Sequence, residues 1–366
     1  MKILIISHEF PPVGGGAGIV AKQYCDYLTA MSHDVTLMSA NINDNNAWND
    51  TVHKIRPSNY KFFWPMSYYN TLNKISLDVY DRIILNDIGA TLIAGLFLTK
   101  SQLKKSIIVL HGQEPEQIYT QAAKTYKLFR LKKYYHRSIV NAKKIIAVSK
   151  YMKEKFVSLA LTGAEKETVG NKISVSYTGI NKKFFTLPSR EVKTLDNKLK
   201  LITVSRIEQE KGLDDCITLA LKLKAAYIDF EWLIIGEGTY LKHLKFIIAQ
   251  QKLEEHIKLL GRISQEELPS YYKNSDLFLL FSHMTESFGL VYLEAQLCGC
   301  PAIGFNKFGV KESIFDKKTG FLVNSIEDAF IIIKNKEYRK IKITPTYFAN
   351  FSFEQASKRL DRIINE

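Results

Sequence analysis

The sequence predicts an α/β fold in two successive halves, each built on a parallel sheet. Three observations carry this. Short runs rich in Ile, Val and Leu recur along the chain with helical stretches between them, the pattern of strands buried on both faces. At 366 residues the chain is long for one domain and suits two of roughly 150 to 200 residues, each large enough to bury a core. A polar link containing proline, Pro188-Ser189-Arg190-Glu191, divides the runs into two sets.

In chain order, strands are expected at residues 2–7, 34–37, 82–85, 107–110 and 144–148, then at 199–204, 232–235, 257–260, 276–281 and 301–305. The expected division is a first domain over 1–187, a second over 188–350, and a final segment over 351–366 whose helix starts near Phe353. No low-complexity tract or short repeat interrupts this pattern.

The stretch from His283 to Ala295 carries the most chemistry. It follows the expected strand at 276–281 and should form a loop and then a helix, with Ser287 as N-cap and Phe288, Gly289 and Leu290 as the first turn. The free amides of such a turn and its positive dipole end attract phosphate or sugar oxygens. Glu286 lies just before the turn and Glu294 within the helix, eight positions on, a span of roughly 12 Å at helical rise. One carboxylate then holds sugar hydroxyls and the other ribose hydroxyls. Taken alone, two solvated glutamates on an amphipathic helix are the plainer reading.

Upstream, the run at 199–204 ends in Ser205-Arg206, and Lys211-Gly212 follows five residues after the arginine. A guanidinium fork and a lysine point charge there suit a diphosphate. No Asp-x-Asp occurs in the chain, so the carboxylate pair that commonly clamps a metal-bound diphosphate is missing and Arg206 and Lys211 have to supply the charge. No metal or cofactor is expected.

These motifs, in order, resemble those of glycosyltransferase family 4, the retaining enzymes of the GT-B fold. The resemblance covers nearly the whole length: His8-Glu9-Phe10-Pro11-Pro12 with Gly14-Gly15-Gly16, His111-Gly112, Ala147-Val148-Ser149, Tyr177-Thr178-Gly179-Ile180, Ser205-Arg206 with Glu210-Lys211-Gly212, Gly236-Glu237-Gly238, Gly261-Arg262, and the Glu286 to Glu294 motif. It implies two Rossmann-like domains whose parallel sheets face a central cleft, with the last helix crossing back to the first domain. It implies that a nucleotide diphosphate sugar is the donor substrate and that a hexose passes to a saccharide or lipid-linked acceptor, a lipopolysaccharide or capsule precursor. By the same resemblance Glu286 contacts the donor hexose, Glu294 the ribose, the backbone amides of Phe288, Gly289 and Leu290 the sugar and phosphates, and Arg206 and Lys211 the diphosphate. His111 lies at the reacting centre, and Gly15 and Gly16 let the first loop approach donor and acceptor. Phe281 stands where the family often has proline, and only Gly309, beside Phe308, remains where it often has paired glycines.

Composition narrows the alternatives. Gly14, Gly15, Gly16 and Gly18 do not match the G-x-G-x-x-G of a dinucleotide site, which argues against an oxidoreductase. Cys25, Cys216, Cys298 and Cys300 show neither metal-ligand nor redox spacing, so buried reduced thiols are expected. His136 and His256 read as surface residues. With no signal-peptide pattern and no membrane-spanning run, the expectation is a cytoplasmic protein.

The net charge of +14 is uneven. From Gln117 to Phe156 the only acid is Glu154, against Lys124, Lys127, Arg130, Lys132, Lys133, Arg137, Lys143, Lys144, Lys150, Lys153 and Lys155, with Tyr119, Tyr126, Phe129, Tyr134 and Tyr135 interleaved. That composition suits a helix lying in an anionic membrane interface, on the inner face of the cytoplasmic membrane; a solvated helix with aromatics packed on its domain is the alternative. Two other functions remain open from sequence: a soluble transferase acting on a small acceptor, and a non-catalytic nucleic-acid-binding protein on the same scaffold.

Overall fold

The computed structural model describes residues 1–11, 15–40, 52–57, 64–185 and 198–366. The link at 188–191 lies outside them. Two compact units emerge: Met1–Gly179 together with Phe353–Glu366, and Ile180–Ser352.

The first unit has a parallel sheet of seven strands, β1 (Lys2–Ile6), β2 (Asp34–Met38), β3 (His53–Ile55), β4 (Arg82–Leu85), β5 (Ser106–Leu110), β6 (Lys144–Ala147) and β7 (Ile173–Val175), in the order β3-β2-β1-β4-β5-β6-β7. The central strands are apolar throughout because helices cover both faces; Ile3 to Ile6 and Ile107 to Leu110 are buried, as a parallel sheet requires. The first helix, Gly16–Ala30, packs beside the last, Phe353–Asn365. That last helix contributes Ala356, Leu360, Ile363 and Ile364 to the first unit's core. It is also tied there by polar contacts: His33 Nε2 with Asp361 Oδ1 at 2.8 Å, and Arg82 Nε donating to Ile364 O at 2.7 Å.

The second unit has six parallel strands, β8 (Leu199–Val204), β9 (Phe230–Ile235), β10 (Ile257–Gly261), β11 (Leu277–Leu280), β12 (Ala302–Phe305) and β13 (Gly320–Val323), in the order β10-β9-β8-β11-β12-β13. Its separate core is centred on Trp232, Phe230, Leu279 and Phe281. Ten of the thirteen strands fall where apolar runs place them. The other three, β3, β7 and β13, are edge strands of their sheets, and β3 and β7 are only three residues long, too short for a run to stand out.

In each sheet the strand order reverses once, between β1 and β4 in the first unit and between β8 and β11 in the second. The crevice outside the carboxyl ends of strands at such a reversal is where open α/β sheets hold ligands. The second unit's motifs fall on the loops after β8 and β11; in the first unit His8, Glu9 and Gly15 follow β1, while His111 follows β5.

Candidate functional site

In the second unit Arg206 and Lys211 follow β8, while Glu286 and Glu294 follow β11, so the sheet brings to one reversal point residues up to 88 positions apart in sequence. The loops are stitched by backbone: His283 N and Met284 N both donate to Glu210 O, at 2.8 and 3.2 Å, and Gly309 N donates to Glu286 O at 2.9 Å. Lys211 closes a short 3-10 turn, Gln209–Lys211, and Gly212 caps the helix Leu213–Ala225 with φ of 71°. A Cβ at Gly212 would stand 1.9 Å from Phe281 O. Only glycine lets the two loops meet this closely in that conformation.

Lys211 and Glu286 are paired directly, Nζ to Oε1 at 2.5 Å, with both side chains largely out of solvent. The sequence assigned them separate tasks on phosphate and sugar. An ammonium has three donors and a carboxylate two oxygens, so the contact leaves donors on Lys211 and Oε2 of Glu286 for a ligand. The Arg206 side chain is exposed and forms neither a salt bridge nor a side-chain hydrogen bond among the described residues.

Ser287 is not the helix cap. The helix runs Leu290–Leu297, and its N-cap is Gly289, at φ of 86° and without a side-chain hydrogen bond to the first turn. A serine side chain would compete for the first-turn amides; glycine leaves them bare for an anion. Phe288 accordingly precedes the helix rather than opening it, and its buried ring packs 5.5 Å from that of Phe351. The estimate of a fully helical span from Glu286 to Glu294 is corrected too, since only the part after Gly289 is helical.

Glu294 sits inside that helix and is 8% exposed. Burial pushes its carboxyl up to about 7, against a smaller downward pull from the neighbouring Tyr272 hydroxyl. Tyr272 is itself fully buried, and its hydroxyl lacks a hydrogen bond of good geometry. A carboxyl so placed, near the half-protonated state at neutral pH, can both donate to and accept from a hydroxyl.

In the first unit, Gly15 is the N-cap of the first helix and Gly16 its first residue; Gly15 N donates to Glu9 Oε2 at 2.7 Å. Gly14 lies outside the described residues. His111 follows β5, and its Nε2 bonds to Asn86 O at 2.5 Å. A carbonyl only accepts, so Nε2 carries a proton and, in the neutral ring, Nδ1 is the open base. Three charged residues here are buried; Asp87 and Glu114 are not singled out from sequence, and Lys155 reads there only as one cation of the basic stretch. Asp87 Oδ2 accepts from the Ser7 hydroxyl, His8 N and Glu9 N, at 3.0, 2.5 and 2.9 Å, while Oδ1 caps the helix Ile88–Phe97 through Ala90 N. Glu114 accepts from His111 N at 2.6 Å and Gly112 N at 2.7 Å. Lys155 bonds Gly112 O and pairs with Glu116 at 2.8 Å. An Asp just past a strand is a legible cap signal; Glu114 acts on amides two and three residues before it, while Lys155 joins elements distant in sequence.

The basic region differs from a single interfacial helix. It forms short helices at Lys124–Leu128 and Leu131–Asn141. Tyr135 is buried and Tyr119 packs edge-on against it. Arg137 donates to Gly95 O and Leu98 O, Lys144 pairs with Glu366, and Lys155 is buried. What remains outward in and between the two short helices is Lys124, Lys127, Leu128, Phe129, Arg130, Lys132 and Lys133, with Leu128 76% and Phe129 65% exposed; Lys150, further along, is exposed too. His136 and His256 are not free surface residues either. His136 links Tyr119 to Glu165, and His256 stacks on Phe230. All four cysteines are buried free thiols. Among the described residues there is no group of three or more metal-ligating side chains, and no helix is long and apolar enough to cross a membrane.

Two family descriptions match successive parts of the chain: Glycosyltransferase Family 4 over residues 14–183, and Glycosyl transferases group 1 over 187–331. The chain is 29% identical over 223 residues to the amylovoran biosynthesis glycosyltransferase AmsK of Erwinia amylovora, covering 60% of this chain and 51%, about half, of that one. It is 27% identical over 356 residues to an uncharacterized glycosyltransferase of Methanocaldococcus jannaschii, covering 93% and 90%. The fold matches that of HepE from Anabaena, solved in complex with UDP and glucose, with a TM-score of 0.77 at 18% identity over the full length of both chains. This chain therefore belongs to the family 4, group 1 glycosyltransferases and has their GT-B fold of two parallel-sheet α/β units.

Proposed function

We propose that the protein is a retaining, metal-independent hexosyltransferase that moves a sugar from a nucleotide diphosphate donor to a lipid-linked saccharide or a lipopolysaccharide or capsule precursor. The observation that carries the reading is the convergence of Arg206, the Lys211–Glu286 pair and the uncapped Gly289 helix end at the reversal point of the second sheet. In this reading Arg206 and Lys211 neutralise the diphosphate as it departs, and the first-turn amides after Phe288, at Gly289 and Leu290, hold phosphate oxygens. Glu286 accepts from hydroxyls of the hexose through its second oxygen, and Glu294 from the ribose. The acceptor hydroxyl bonds to the anomeric carbon on the face from which the diphosphate leaves. As the bond from that carbon to the phosphate oxygen breaks, the acceptor proton passes to the departing phosphate. His111, Gly15 and Gly16 are the residues of the first unit that the family resemblance assigns to the reaction.

A polysaccharide or lipid-linked acceptor accords with the relative named for amylovoran biosynthesis. It also accords with the exposed Leu128 and Phe129 amid five cations, Lys124, Lys127, Arg130, Lys132 and Lys133, a composition suited to an anionic bilayer surface. We place the protein peripherally at the cytoplasmic face on this ground.

The test is calorimetric titration of wild type and Glu294→Ala with uridine and guanosine diphosphates in the presence of a chelator. Tight binding of one nucleotide, weakened at least about tenfold in the variant, supports the donor site and names its base. Absence of binding to either overturns it.

A further inference from the structure

We propose that Lys155, acting with Glu116 and Glu114, is a positioning residue for His111, holding the backbone on both sides of that histidine in the geometry that transfer needs. The inference rests on the reading above, in which His111 serves the reaction.

The strand β5 ends at Leu110, and the next three peptide units are each gripped by a buried or half-buried charge. Glu114 Oε1 takes the N–H of His111 and Oε2 the N–H of Gly112. Lys155 Nζ takes the carbonyl of Gly112. With the ring itself bonded to Asn86 O, both backbone and imidazole of His111 are constrained. The chain then enters a π-helical turn, Pro115–Thr120, a wide and rare conformation that recurs at functional sites. Glu116, on that turn, is the partner of Lys155, Nζ to Oε1 at 2.8 Å.

Stability alone gives a poor account of Lys155. Its side chain is 4% exposed, on a helix, Lys150–Ala160, that otherwise buries Met152, Phe156 and Ala160. A buried ion pair returns little or no net stability relative to apolar residues of similar volume, because both charges must be stripped of water. An apolar side chain fills the space equally well but cannot hold the Gly112 carbonyl. What the ammonium uniquely supplies is a fixed donor beside His111 and a tether to the turn that follows it. Misplacement by about 1 Å of a group serving a reaction costs roughly a hundredfold in rate, so geometric control is a sufficient reason to keep a charge here.

The experiment is a double-mutant cycle on the full chain, combining Lys155→Met with His111→Ala, read by steady-state transfer and nucleotide calorimetry. Expected for Lys155→Met alone is a fall in kcat of about tenfold or more, with donor KM and nucleotide affinity within about twofold of wild type, since the nucleotide residues belong to the second unit. In the His111→Ala background the same substitution should cost less than about twofold further, because residues acting through one group are not additive. An undiminished loss in that background, or an unchanged kcat in the single variant, overturns the proposal. Should Lys155→Met fail to fold, the paired Lys155→Met/Glu116→Gln variant removes the stranded carboxylate and is read in the same cycle. A wild type that neither binds nucleotide nor transfers sugar overturns the transferase reading itself; an active wild type with additive losses overturns only the role of Lys155.

Discussion

The loops at the carboxyl end of the first sheet are held by carboxylates, and those of the second by glycines. Asp87, Glu114 and Glu9 spend their oxygens on backbone N–H groups of the first unit. In the second unit Gly212 lies against the Phe281 carbonyl and Gly289 turns the chain into its helix. The difference decides what is left for a ligand. Acids that clamp backbone are consumed by the fold, whereas close contacts between loops cost no charge, so Arg206, Lys211, Glu286 and Glu294 are left for the donor proposed above.

The comparison breaks first at Gly212. Gly212→Ala forces a side chain into a positive-φ position and onto a backbone oxygen; the expected loss is about 3 to 5 kcal/mol, measured by denaturant unfolding, with nucleotide binding lost as the two loops part. Asp87→Ala, the carboxylate counterpart, strands three backbone donors and a hydroxyl and should cost about 2 to 4 kcal/mol, while nucleotide affinity in the surviving folded protein stays near that of wild type. If Asp87→Ala abolished nucleotide binding without unfolding, the division of labour between the units would be wrong.

Glu294 sharpens the comparison through pH. Its carboxyl is raised from an ordinary 4.5 to about 7 by burial, so the folded protein binds more protons than the unfolded chain between those values. Stability should therefore fall as pH rises from about 4.5 through about 7 and level off above it, by at most about 3 kcal/mol. Glu294→Gln should remove this slope and leave the protein more stable than wild type at pH 8, yet weaker in nucleotide binding. A slope identical in both proteins would locate the titration elsewhere. The smallest effect on stability is expected from Leu128→Ser/Phe129→Ser, within about 0.5 kcal/mol because both side chains are exposed. Cosedimentation with anionic vesicles at low salt should nonetheless drop several-fold, and undiminished binding would exclude this tip as the contact.

Much of this was legible in the amino-acid order because the strands are apolar blocks and the donor-side residues lie within short motifs. Arg206, Lys211 and Glu286 each sit within seven positions of a strand end, and Glu294 lies in the helix that follows β11, so strand prediction alone carries them to one edge of the sheet. The exceptions share a cause. Gly289, rather than Ser287, caps the helix because positive φ outweighs side-chain capping there, a preference invisible without the loop's course. Lys155 lies 43 residues from the carbonyl it holds, and Tyr119, Tyr135 and His136 turned inward where composition suggested an outward face. Pairings across distant elements leave no local periodicity to read.

The placement of Phe353–Glu366 with the first unit has a consequence for synthesis on the ribosome. The Gly16–Ala30 helix, made before the second unit, keeps an apolar side uncovered until Leu360 and Ile364 emerge. By then the contiguous second unit has its whole sequence available. The half of the molecule that is translated first is thus the half that finishes folding last, and its early helix spends most of translation as a surface for chaperones.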